Sequence, residues 1–193
     1  AYTSRDASPF SDAMAEKAME LIGANLRRFV ANRQDEEAAA AMLSGSMFAG
    51  IAFAWARLGN IHAMSHPVSA YFHVAHGVAN AILLPTIVEY NALADHGKYL
   101  TIYNDISPIP AYADEFEPMM LVDAIRELCT DIGIPENLTI AINNASRTGT
   151  VTKEEIESKI EPMAVDAMKS GNIAVNPRAS RQCDIEMLYR KAL

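Results

Sequence analysis

The stretch Gly59–Asn91, G-N-I-H-A-M-S-H-P-V-S-A-Y-F-H-V-A-H-G-V-A-N-A-I-L-L-P-T-I-V-E-Y-N, decides how the rest of the chain is read. It carries His62, His66, His73 and His76, four of the five histidines in 193 residues, inside an apolar, helix-prone run. Imidazoles are costly to bury unless they bond to something. His62 and His66 are four apart, which on a helix puts both rings on one face about 6 Å apart, and His73 and His76, three apart, would do the same one turn further on. Metal-binding helices use such spacings because one backbone then presents two nitrogens to a common point. Pro67 opposes this, since it disfavours helical geometry at His66. If Pro67 lies in a first turn, His62 stands at the start of the helix rather than within it.

Partly buried or surface histidines without ligands are the plain alternative, and four so close together weigh against it. Glu89 and Asp95 are the nearby carboxylates, but their spacing does not make an H-E-x-x-H zinc site. Two imidazoles are also too few for a catalytic Zn²⁺, which takes about three protein ligands, or for a non-haem Fe²⁺, which usually adds a carboxylate. The residues alone therefore spell half a metal site.

Outward from this stretch the chain is helical. Met14, Ala18, Leu21, Ile22, Leu26, Phe29 and Val30 recur with a helical period and predict a helix over Ala13–Ala31, capped by Ser8 or Ser11. A second helix is predicted from about Asp35 to Arg57, with an acidic start and Gly59 placed to end it. It is apolar nearly all round, with Ser44, Gly45, Ser46 and Gly50 allowing close neighbours, and so is expected to be buried on most sides. A further helix over Gly77–Ala92 contains Pro85, which should kink or divide it. From Asp95 to Pro118 short helical turns and loops are expected. Helices follow over Met119–Ile132, over Lys153–Lys169 with a Thr152/Glu155 capping box and a bend at Pro162, and over Ser180–Ala192. No strand pattern, repeat or low-complexity tract interrupts them. The fold class is all-α, a helical bundle with the second helix and the histidine stretch at its centre.

Composition agrees: half the residues are hydrophobic and 7% aromatic. Strong helix formers dominate. The net charge of -8 is spread in mixed-sign stretches without a basic stripe. That distribution argues against binding nucleic acid or an anionic membrane surface. Cys129 and Cys183 lack metal or redox spacing and read as free thiols of a reducing compartment. No apolar run reaches the roughly 18 residues needed to span a bilayer and no signal-peptide pattern is found, so a cytoplasmic location is expected. The chain opens on Ala-Tyr-Thr-Ser without an initiator methionine, as a fragment or processed chain would.

The histidine stretch resembles the signature of the iron-containing alcohol dehydrogenase family, in which a His, a second four residues on, and a third in H-G-x-x-N-A recur. The opening A-Y-T-S-R-D-A-S-P-F-S-D and the closing N-P-R with D-I-E-M-L-Y-R-K-A-L extend the likeness over almost the whole chain. The resemblance implies residues 1–193 as a C-terminal all-helical metal-binding domain, without the N-terminal domain that binds NAD(P). It implies His62 and His76 as metal ligands. His66 would stand near the nicotinamide and the alcohol as a catalytic neighbour, and Phe53 would line the same cleft. The family's remaining ligands, an Asp and a His, would fall just before Ala1. Ala75 stands where Pro is usual, Trp55 where a small polar residue is common and Thr86 where His is frequent, which bears on the pocket's shape.

The implied activity is metal- and NAD(P)-dependent oxidation of a small alcohol or reduction of an aldehyde, with Fe²⁺, or Zn²⁺, as Lewis acid. An isolated helical fragment or interaction domain without activity of its own is the alternative. A metallohydrolase is a third possibility, with no additional carboxylate at ligand spacing to support it. Self-association, as a homo-oligomer, is expected from the apolar second helix.

Overall fold

A computed structural model describes all residues from 1 to 193. It contains nine α-helices and no strand: α1 Pro9–Ala31, α2 Glu36–Ala56, α3 Asn60–Phe72, α4 His76–Asn91, α5 Lys98–Ile106, α6 Pro118–Asp131, α7 Leu138–Ala145, α8 Lys153–Met168 and α9 Gln182–Lys191. Short 3₁₀ turns follow α4 and α8.

The helix ends follow local chemistry. Ser8 caps α1, with Ser11 completing a reciprocal capping box and Pro9 in the first turn, so the helix starts at Pro9, ahead of the Ala13 that its apolar period suggests. Asp35 accepts from the Ala38 N–H at the start of α2. At α8 the Glu155 N–H donates to Thr152 Oγ1 at 3.2 Å and the Thr152 N–H to Glu155 Oε2 at 2.7 Å. This is the reciprocal box expected from the sequence. Gly59 does not end α2. Arg57 does so, with φ 60° and ψ -168°. Such a conformation costs on the order of 1–3 kcal/mol for a side-chain-bearing residue. Arg57 Nη2 donates to the Gly171 carbonyl at 2.7 Å, which offsets part of that cost. Gly59 becomes the first residue leading into α3.

The main core joins α3, α4, α7, α8 and α9 through 20 buried residues, among them Met64, Leu83, Ile87, Ile160, Leu188 and Tyr189. The Tyr189 hydroxyl donates to the Met64 carbonyl at 2.6 Å and so pins α9 to α3. A smaller cluster of Tyr99, Leu121 and Ile125 packs α5 and α6 on the other side of α4, against Leu84 and Val88. Pro67 and Pro85 lie inside α3 and α4, which nevertheless run continuously. Pro67 is buried, and its packing outweighs the missing N–H.

The all-α bundle is as expected, and the histidine stretch is central. The second helix is not. α2 packs on α1, with Gly45 so close to Ile22 that a Cβ there would stand 2.7 Å from Ile22 Cγ1. Only Ala38, Gly45, Ala52 and Ala56 of α2 are buried, whereas Leu43 is 75% and Trp55 67% exposed and Gly50 faces open space. A helix apolar all round gives no periodic sign of which face is covered. α2 is also long and apolar enough, by length and composition, to cross a membrane, contrary to the expectation that no run reaches that length. Its Gly and Ser residues interrupt the apolar run without adding charge.

Candidate metal centre

α3 and α4 bring three imidazoles together. His62 and His66 are 6.2 Å apart between ring centroids, as four-residue spacing on one helix dictates; His76, the first residue of α4, stands 5.1 Å from His62 and 4.9 Å from His66, stacked on the latter at 19°. Pro67 falls in the interior of α3, so His62 lies inside its first turn. His73 does not join them. α3 stops at Phe72, and His73 takes the left-handed conformation (φ 59°, ψ 19°) at its end, so His73 and His76 share no helix face. A left-handed residue at this point is a common way to end a helix. His73 instead lines a separate cavity of about 600 Å³ with Tyr71, Ile142 and Arg147.

Burial and the neighbouring imidazoles His76 and His66 lower the His62 pKa to about 4, and burial, then His66, lowers that of His76 as well. Both rings are thus neutral at physiological pH, the form that ligates metals. Two further residues, Ser65 and Asn80, contact their ring nitrogens. Ser65 Oγ donates to the His62 carbonyl at 3.3 Å and has its lone pairs left for the His76 Nδ1–H at 3.3 Å, which leaves His76 Nε2 open. Asn80 Nδ2 lies 3.3 Å from His62 Nε2 and donates to it, placing that ring's proton on Nδ1; the buried Asn80 Oδ1 has no partner. The spacing held the clue: Ser65 is three residues from His62 and Asn80 four from His76, each on the face of its histidine.

The carboxylates nearest in sequence are engaged elsewhere. Glu89 pairs with Lys191 and Arg126, and Asp95 accepts from the Lys98 and Gly97 N–H groups at the start of α5. No group of three or more His, Cys, Asp or Glu side chains converges as a metal-holding set. Cys129 and Cys183 are free thiols. Phe53 is 48% exposed on the last turn of α2, and Trp55 meets Phe10 edge to face at 5.4 Å.

Residues 1–193 match the profile of the Fe-containing alcohol dehydrogenase family, C-terminal part. The chain is 35% identical over 194 residues to the 1,3-propanediol dehydrogenase of Citrobacter freundii, covering 100% of this chain and 47% of that protein. It is 35% identical over 192 residues to the lactaldehyde reductase of Escherichia coli (strain K12), covering 99% of this chain and 47% of the other. A crystal structure of 1,3-propanediol oxidoreductase superposes with a TM-score of 0.87 at 35% identity, covering 100% of this chain and 47% of the other. The alcohol dehydrogenase from Oenococcus oeni superposes at 0.86 with 30% identity, with the same coverage. The chain spans about half the length of the curated relatives it matches.

Proposed function

This chain belongs to the Fe-containing alcohol dehydrogenase family, as its C-terminal part, and on that premise we propose that it is the metal-side half of an oxidoreductase interconverting a small alcohol and its aldehyde with NAD(P). The observation that carries the proposal is the pair His62 and His76, two neutral imidazoles on different helices with ring centroids 5.1 Å apart. Neutral nitrogen donors suit Fe²⁺ and Zn²⁺ alike, so the residues present fit one side of such a centre. His62 and His76 would hold the ion, and the remaining ligands would come from the segment that precedes this one in the longer relatives. Bound there, the ion would supply a Lewis acid for the substrate oxygen.

The chain's own residues support the rest. His66 is exposed and stacked on His76, where it can pass the alcohol's proton to solvent. Phe53, an exposed ring on the last turn of α2, would line the cofactor side of the cleft. Ser65 keeps His76 Nε2 free, and on His62 the ion would take the Nε2 lone pair to which Asn80 Nδ2 otherwise donates. A cytoplasmic homo-oligomer acting on small molecules, without nucleic acid or membrane partners, fits the dispersed acidic charge; the uncovered face of α2 supports self-association.

A helical fragment or interaction domain without activity is the second possibility, favoured for these 193 residues alone because no set of three ligating side chains converges. The test is a protein that joins this chain to the cofactor-binding half, stripped of metal and reloaded with Fe²⁺ or Zn²⁺. Alcohol-dependent reduction of NAD(P) is expected only after reloading, with loss of at least a hundredfold in His62→Ala or His76→Ala. Metal-independent activity would overturn the proposal.

A further inference from the structure

The segment Asn176–Arg178, N-P-R, closes over the histidine helices from behind. Asn176 is 1% exposed. Its side-chain amide makes four hydrogen bonds. Oδ1 accepts from the Asn60 backbone N–H and from Asn91 Nδ2, both at 3.1 Å, while Nδ2 donates to Asn91 Oδ1 at 2.8 Å and to the Arg178 carbonyl at 2.7 Å. Asn60 is the first residue of α3 and Asn91 the last of α4. α3 has no side-chain cap of its own, so Asn176 satisfies an N–H that a helix start otherwise leaves orphaned. Gly59 permits the approach, since a Cβ there would stand 2.8 Å from Asn176 Oδ1.

The turn is itself immobilised. Arg178 Nη1 donates to the Tyr90 carbonyl at 2.8 Å and its guanidinium lies 3.9 Å over the Tyr90 ring, while the Tyr90 hydroxyl donates to the Ala179 carbonyl at 2.9 Å. The ring and the cation attract one another as well as stacking. Asn60 Nδ2 donates to Ser180 Oγ at 2.8 Å. A side chain with all four hydrogen-bonding sites used, in a buried place, tolerates little displacement of its partners. Two residues beyond Asn60 stands His62, and His76 opens the α4 that Asn91 closes, so the clasp acts on His76 by fixing the direction in which α4 runs past the start of α3.

We propose that Asn176 is a positioning residue whose buried amide clasps the start of α3 to the end of α4 and thereby sets the spacing of His62 from His76. Its use for metal binding rests on the function proposed above, but the spacing itself can be read without metal. In the metal-free full chain with labelled histidines, the nuclear Overhauser effect between the His62 and His76 rings reports the distance across the helices, and that between His62 and His66 reports α3 alone. Asn176→Ala is expected to lower the first at least threefold relative to the second, and Asn91→Ala, which removes only the α4 side of the clasp, to lower it by less. In Zn²⁺ titrations on the same resonances, Asn176→Ala is expected to weaken binding about tenfold, equal to about 1.4 kcal/mol. The same substitution in a His76→Ala background should change nothing, because any chelate left lies within α3. General destabilisation would weaken both alike and would overturn the positioning role. An unchanged Overhauser ratio in folded Asn176→Ala, checked by far-UV circular dichroism, overturns the proposal, as does an unchanged ratio in Asn91→Ala should Asn176→Ala fail to fold. Zn²⁺ that moves neither ring while the ratio still falls overturns the metal centre and leaves the clasp standing.

Discussion

The α3–α4 pair and the α1–α2 pair are both apolar helical pairs, yet they are held in opposite ways. α3 and α4 are enclosed by α7, α8 and α9, and most of their buried polar groups, His62, Asn91, Ser65 and the Asn60 amide among them, find partners inside, while Asn60 Oδ1, Ser69 Oγ and Asn80 Oδ1 are left without one. α1 and α2 pack chiefly on each other, and α2 turns Leu43, Met47 and Trp55 outward. Hydrophobicity alone therefore does not place a helix in the core of this molecule. What distinguishes the enclosed pair is buried polar chemistry, which demands fixed partners and so fixes geometry.

Substitutions can break this contrast at several scales. Leu83 on α4 is fully buried and Leu43 on α2 is exposed. Leu83→Ala is expected to cost about 2–5 kcal/mol in urea unfolding, and Leu43→Ala about 0.5 kcal/mol or less. Comparable losses at the two sites would mean that α2 is covered in solution. Tyr189→Phe removes the hydroxyl that bonds the Met64 carbonyl, which keeps only its helical bond within α3. It should cost about 0.5–1.5 kcal/mol by the same measurement.

Acid probes the enclosed pair specifically. An unfolded chain protonates His62 as the pH falls through about 6.5, but the folded chain resists until about 4, so stability declines across that window as the pH drops. His76, shifted the same way, adds to the decline. Asp35, Asp166 and Asp184, held below the usual carboxylate value of 3.8, contribute stability that is lost only at lower pH. His62→Gln should flatten the decline between pH 6.5 and 4 in thermal melts. An unaltered slope would show that His62 is not the group responsible.

Ala75 already has φ -56°, and its N–H makes no hydrogen bond within the chain. Ala75→Pro should therefore stabilise by about 0.4–1 kcal/mol, read as a raised urea midpoint. On the open pair, Leu43→Gln combined with Met47→Gln is expected to leave the melting temperature within a few degrees while lowering light scattering at high concentration. Unchanged scattering would count against self-association through this face.

Much of this was legible in the chain. The Thr152/Glu155 box, the Ser8 cap and the ring spacing of His62 and His66 follow from local rules. α7 is absent from the predicted helices, although Asn137 caps it and Leu138, Ala141, Ile142 and Ala145 have helical spacing. Its Thr, Ile and Asn residues are poor helix formers, and the Ala192 carbonyl accepting from the Leu138 N–H helps hold it. The approach of His76 to His62 was beyond local reasoning. It depends on the connection from Phe72 to Ala75 carrying the chain back along α3 through a left-handed His73, and on a clasp contributed by residues more than eighty positions away. Which face of α2 is open was equally hidden, because an all-round apolar helix carries no phase.

The edge-to-face pair of Phe10 and Trp55 gives that open region a property of its own. Trp55 is the single tryptophan of the chain and sits 67% exposed on α2. Excited selectively, the molecule emits from the α1–α2 side and not from the core around Tyr189. Its fluorescence is an intrinsic gauge of whatever comes to cover that side: a shift to shorter wavelength with rising concentration would report a second copy, and one seen only on adding the half of the longer relatives that this chain does not span would report that half, with no label attached.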